Sequence, residues 1–129
     1  MSAQVILTAT RGALEGRQFT FTGKTQCIVG RSPSCDVHVA ASAYTVSRYH
    51  CLLDIDAPTV TVQDLGSLNG TYVNEGLIGR RAKRLDTAEA FFVAQPKYVL
   101  EDGDELRVGA LVFSVQIVQE PIPLEMPSG

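Results

Sequence analysis

Apolar residues recur along this chain with a period of two, in short runs separated by turn-forming residues at close intervals. In the run His50–Ile55, Cys51, Leu53 and Ile55 fall on one face, as a strand with one buried side requires, because successive side chains point to opposite faces. β-Branched and aromatic residues support further strands over 5–10, 18–22, 26–29, 36–39, 59–63, 71–73, 105–108 and 111–118. Gly12–Gly16, Gly23-Lys24, Asp56-Ala57-Pro58, Asn74-Glu75-Gly76 and Gly109-Ala110 mark turns between them. The pattern predicts an all-β fold, a two-sheet β-sandwich of about eleven short strands with loops gathered at one end.

Two stretches break the alternation. Residues 40–48 form a long connection of small residues without periodicity, suited to carrying Ser47 and Arg48 to one end of the sandwich. Residues 80–98 hold Arg80, Arg81, Lys83, Arg84 and Lys97 against Asp86 and Glu89, a net +3 in a chain of net −3. Asp86-x-x-Glu89 suits a capping box for a helix over 87–94, and a hairpin pairing 90–93 with 98–100 suits the same residues equally. If Leu77–Gly79 returns along 71–73, whatever follows Gly79 starts at the end of the sandwich that carries Ser67–Gly70.

At 129 residues the chain has the length of one domain able to bury a core without metal or disulfide. Its domain is expected over 1–118, with 80–98 as an insertion and 119–129, containing Pro121, Pro123 and Pro127, as a tail or linker. The acidic balance and pI near 5.3 argue against a nucleic-acid partner, whose reader would carry a basic excess, so any anion site must be local. Cys27, Cys35 and Cys51 make an odd number and no secretory pattern opens the chain, which points to a reducing cytoplasm. No apolar run approaches the roughly 18 residues that span a bilayer, so no membrane partner is expected.

The chemistry lies in the loops. A phosphate group offers three strong acceptor oxygens and needs guanidinium, hydroxyl or amide donors converging on one point. Arg31, Ser47, Arg48 and Asn69 supply such donors, and the interleaved Gly30, Gly66 and Gly70 permit tight backbone turns. The set Gly30-Arg31, Ser47-Arg48-x-His50 and Asp64-Leu65-Gly66-Ser67-x-Asn69-Gly70-Thr71, in this order and spacing, resembles the forkhead-associated (FHA) domain, a phosphothreonine-peptide reader of FHA/SMAD-like fold. The resemblance runs from about Val5 to Val118.

It implies a phosphopeptide site in which Arg31, Ser47 and Arg48 meet the phosphate, Asn69 holds the ligand backbone and Leu68 offers backbone contacts. It further implies that Gly30, His50 and Gly70 support the site structurally. Arg48 stands where animal-type members often carry asparagine, and arginine there is familiar in bacterial members. The partner implied is a phosphothreonine-containing protein, or a segment of the same polypeptide in cis, with a Ser/Thr protein kinase supplying the mark; no cofactor, metal or catalytic residue is implied.

Other chemistries fit the residues less well. A Ser47-His50-Asp64 hydrolase lacks a nucleophile elbow and an oxyanion-hole signature. Zinc on Cys35, His38, His50 and Cys51 would need His50 and Cys51, adjacent on one strand, to point the same way. Cys27 and Cys51 are expected to pack as small hydrophobes. A phosphate-independent interaction or oligomerisation scaffold on the same fold is the alternative function. The basic stretch after Gly79 is expected to attract acidic residues beside the phosphothreonine.

Overall fold

The computed structural model describes residues 3–81 and 95–119. Among them the chain forms β1 (Ala3–Arg11), β2 (Gln18–Thr22), β3 (Lys24–Gly30), β4 (Val37–His38), β5 (Cys51–Asp56), β6 (Thr59–Asp64), β7 (Thr71–Val73), β8 (Gly76–Gly79), β9 (Lys97–Val99), β10 (Glu105–Val108) and β11 (Leu111–Gln119). One sheet has six strands in the order β2-β1-β11-β10-β7-β8, the other five in the order β4-β3-β5-β6-β9. This is the all-β two-sheet sandwich expected from the alternation. Among the described residues no helix is long and apolar enough to cross a membrane.

The core comes from the inward halves of the alternating strands. Val5, Leu7 and Ala9 of β1 join Leu106, Val108, Phe113 and Val115 of β10 and β11 from the six-stranded sheet. Cys27, Val29, Leu53, Ile55, Val60 and Val62 face them from the other. Burial pushes the Cys27 thiol up to about 12 and raises Cys51 well above its ordinary value, so both are small apolar fillers rather than nucleophiles. The last strand closes the domain by lying beside the first, in a register running from Ala3↔Gln119 to Arg11↔Val112.

The stretch after Gly79 re-enters the described residues as a strand that overlaps the 98–100 strand of the hairpin reading. Lys97–Val99 forms an edge strand on β6, with Tyr98 opposite Val62. The helix over 87–94 and the hairpin partner 90–93 lie outside the described residues, as does the tail beyond Gln119.

β7 and β8 form the expected short hairpin, in which Val73 pairs with Gly76. Two residues remain for the turn, and both take the left-handed conformation, Asn74 with φ 49° and Glu75 with φ 72°. That geometry matches the strand twist, but it suits Asn and Gly better than glutamate. Glu75→Gly should therefore stabilise the domain by about 0.5–1 kcal/mol, seen as a higher urea midpoint at unchanged m-value. A lower midpoint would show that the glutamate side chain contributes more than its backbone costs.

Candidate functional site

Three connections meet at one end of the sandwich: residues 31–36 after β3, 39–50 before β5 and 65–70 after β6. The first two are stitched by backbone bonds from Arg31 N–H to the Ser47 carbonyl (3.1 Å) and from Ser32 N–H to the Arg48 carbonyl (3.0 Å). Gly30 is required by this approach and not by a turn. A Cβ there would lie 2.1 Å from the Arg48 carbonyl oxygen, in a segment already tied down by hydrogen bonds. Gly66 and Gly70, by contrast, adopt φ of 82° and 93°, as their turn roles require.

His50 joins the second connection to the third. Its Nδ1 accepts the Ser47 N–H at 3.0 Å, and its Nε2 donates to the Gly70 carbonyl at 2.8 Å. An acceptor on one nitrogen and a donor on the other is the neutral imidazole with its proton on Nε2. Burial, the largest influence, lowers the His50 pKa and holds it in that form.

The third connection is folded around a carboxylate. Asp64 Oδ2 accepts the N–H groups of Gly66 and Ser67, both at 2.9 Å, while Oδ1 accepts the hydroxyls of Ser67 (2.5 Å) and Thr71 (2.7 Å). Ser67 Oγ in turn accepts the Gly70 N–H at 2.9 Å. Asp64, Ser67 and Thr71 are all buried. Their part in shaping the loop was not anticipated, although Asp followed by Gly at the second place and Ser at the third carries the signature of an Asx-type turn.

On this frame Arg31, Ser47, Arg48 and Leu68 come together, lining one pocket of about 300 Å³ with Tyr49, Leu65, Gly66 and Arg81. The Arg31 guanidinium is braced from behind, Nε on the Val46 carbonyl (2.5 Å) and a terminal nitrogen on the Ala41 carbonyl (3.4 Å), which leaves donors of its fork for the pocket. Ser47 Oγ accepts the Leu68 N–H at 3.0 Å, and its own O–H remains to be donated. The Leu68 amide is thus engaged within the protein, and the Leu68 side chain is exposed.

Asn69 stands apart from this pocket. Its Nδ2 donates to the Thr45 carbonyl at 3.0 Å, and it lines a neighbouring depression with Thr45, Tyr72, Arg107, Gly109 and Ala110. Tyr49 was not expected at the site; its hydroxyl meets Ser32 Oγ at 3.1 Å and Ser34 Oγ at 3.2 Å. Those two hydrogen bonds lower the phenol pKa.

The alternative chemistries do not assemble. His50 meets the backbone nitrogen of Ser47 rather than its hydroxyl, and the Asp64 carboxylate serves the 65–71 segment, so the three make no proton relay. Both His50 nitrogens are occupied by backbone groups, which leaves neither for zinc. Among the described residues no group of three or more His, Cys, Asp or Glu is placed to hold a metal.

Comparison with known proteins bears on the family. The sequence model of the FHA domain matches residues 27–109, which include all three loops. The chain belongs to the FHA domain family. The FHA chain is 33% identical over 114 residues to the glycogen accumulation regulator GarA of Mycolicibacterium smegmatis, covering 87% of this chain and 60% of that protein. With the oxoglutarate dehydrogenase inhibitor of Corynebacterium efficiens it shares 32% identity over 116 residues, covering 87% of this chain and 66% of the inhibitor. It thus spans about two thirds or less of each relative's length. A solved FHA domain studied for phosphothreonine-dependent interactions superposes with a TM-score of 0.65 at 25% identity, over 92% of this chain and 99% of that one.

Because folding keeps His50 neutral, the unfolded chain takes up a proton near pH 6.5 that the native FHA domain resists. The contribution of His50 is complete above about pH 6.5 and is lost progressively as pH falls below it. The urea midpoint should accordingly drop between about pH 7.5 and about pH 5.5, with a smaller drop in His50→Gln. An equal drop in both would assign the pH dependence to other groups.

Proposed function

We propose that this FHA domain is a non-catalytic reader of phosphothreonine, in a partner protein or in a segment of its own polypeptide. The observation that carries the reading is that Arg31, Ser47 and Arg48 line one pocket, with Ser47 hydrogen-bonded to His50 through its N–H and to the Leu68 amide through its Oγ. Arg31 and Ser47 supply charge-assisted bonds to phosphate oxygens, and Arg48 supplies a second guanidinium. Asn69, tied to Thr45 beside the pocket, contacts the ligand backbone with its remaining amide atoms and sets the register.

A Ser/Thr protein kinase that writes the mark follows from this reading, and we place it in a bacterial cytoplasm, the bacterial part supported by relatives from Mycolicibacterium and Corynebacterium. The preassembled frame also has an energetic role. Ser47, Gly66, Ser67 and Gly70 are fixed by internal hydrogen bonds before any ligand arrives, so binding need not order them.

A degenerate phosphothreonine peptide library, with phosphoserine and unphosphorylated counterparts, tests the proposal. Arg31→Ala should weaken capture roughly 10- to 150-fold, matching the loss of about 1.5–3 kcal/mol for a bond to a charged group, and Ser47→Ala should weaken it less. Equal binding of phosphorylated and plain peptides by the folded wild type would instead favour a phosphate-independent interaction scaffold.

A further inference from the structure

Beside the phosphate pocket lies a second depression, of about 340 Å³, lined by Thr45, Asn69, Tyr72, Arg107, Gly109 and Ala110. Asn69 directly follows Leu68, and Thr45 stands two residues before Ser47, both of which line the phosphate pocket, so the two spaces adjoin. Fixing a phosphate and one stretch of ligand backbone leaves the second space without a task.

Its walls are tied together through one residue. The Thr45 carbonyl accepts from Asn69 Nδ2 at 3.0 Å, and the Thr45 hydroxyl accepts the Ala110 N–H at 2.8 Å. Gly109 packs onto the same carbonyl so closely that a Cβ there would lie 2.3 Å from its oxygen. Thr45 thus joins the segment before β5 to the 65–70 loop on one side and to the β10–β11 turn on the other.

Arg107 brings the charge. It lies within β10, opposite Tyr72 on β7 and Val112 on β11, so strand pairing on both sides fixes its backbone. Its guanidinium carbon sits over the Tyr72 ring, 4.3 Å from the ring centre. That ring in turn lies against the recognition loop, where a Cβ on Gly70 would come within 3.2 Å of Tyr72 Cε1. The ring attracts the cation but offers no oxygen acceptor, so the N–H donors of the fork remain for one. A planar fork of this kind matches a carboxylate with two parallel bonds.

We propose that Arg107 reads a carboxylate side chain of the phosphopeptide, an aspartate or glutamate on the stretch that leaves the phosphothreonine past Asn69. Beyond its bond to Thr45, Asn69 keeps Oδ1 and one Nδ2 hydrogen for the ligand backbone, and a side chain carried on that backbone is delivered to the depression. This rests on the reading of the neighbouring pocket as the phosphothreonine site. Arg31, Ser47 and Arg48 set the requirement for phosphate, and Arg107 sets selectivity among phosphopeptides.

The test is fluorescence anisotropy on the full chain, with peptides built on one phosphothreonine sequence of neutral flanks. Glutamate, glutamine or lysine replaces each flanking residue in turn. In the wild type, glutamate at one position should bind about three- to tenfold more tightly than glutamine there, a bidentate pair exceeding an ordinary exposed one. Arg107→Gln should cut that gain to about twofold or less, and Arg107→Glu should reverse it, so that lysine at that position binds better than glutamine. Each gain is a ratio within one variant, so a change in active fraction cancels. A merely structural role for Arg107 would lower binding of all peptides alike and give no lysine reversal, which would count against the inference.

A glutamate gain of equal size in the wild type and Arg107→Gln, or no position at which glutamate exceeds glutamine, would overturn the inference while leaving the phosphothreonine reader standing. The unphosphorylated parent peptide separates the two readings. A wild type that binds it as tightly as the phosphorylated one would overturn the reader, and this inference with it.

Discussion

A single neutral imidazole holds the two recognition loops of this FHA domain together. His50 accepts from the Ser47 amide with one ring nitrogen and donates to the Gly70 carbonyl with the other, fully buried between them. The bond from Ser47 is lost if the ring gains a proton, because Nδ1 would then become a donor facing an N–H, while Nε2 would still donate to Gly70. The loop carrying the serine hydroxyl and the loop carrying Asn69 are therefore referenced to one rigid ring. Their mutual position is a property of the folded core and not of either loop alone.

Asp64 completes the frame from the other side. Its two oxygens take four donors from Gly66, Ser67 and Thr71, so a six-residue connection is wound around a buried charge. A buried carboxylate left without such donors would be costly, and each of these bonds offsets part of that cost while fixing a loop position. Gly30 and Gly79 fit the same logic through space rather than torsion. One lets Arg48 approach β3 and the other lets β8 press on Asp64, and a side chain at either place would drive the loops apart.

The electrostatic design is local. An acidic chain brings Arg31 and Arg48 to one pocket together with Ser47 and Tyr49. Such a surface attracts a compact anion without attracting polyanions in general. The sheets contribute no functional atom to this pocket; they hold strand ends at fixed separations so that loop donors converge, which is how β-sandwiches carry recognition sites.

Period-two alternation alone was enough to determine the fold class, because a strand with one buried face can satisfy it in only one way, and ten of the eleven strands overlap stretches read as strands from the sequence. The remaining one, Lys97–Val99, is exposed throughout, so no apolar face marks it, and a strand over 98–100 stood only as one of two readings until its pairing with β6 was seen. The donors Arg31, Ser47 and Arg48 were legible as residue types at motif spacing. Their partners were not: the bracing of Arg31 by Val46 and Ala41, the engagement of the Leu68 amide by Ser47, and the placing of Asn69 beside the pocket all join residues that lie on different loops. Spacing along the chain records which groups are available, whereas hydrogen bonds across loops depend on where the two sheets bring their ends. That is why residue chemistry was decided by sequence, and the division of labour among those residues by tertiary structure.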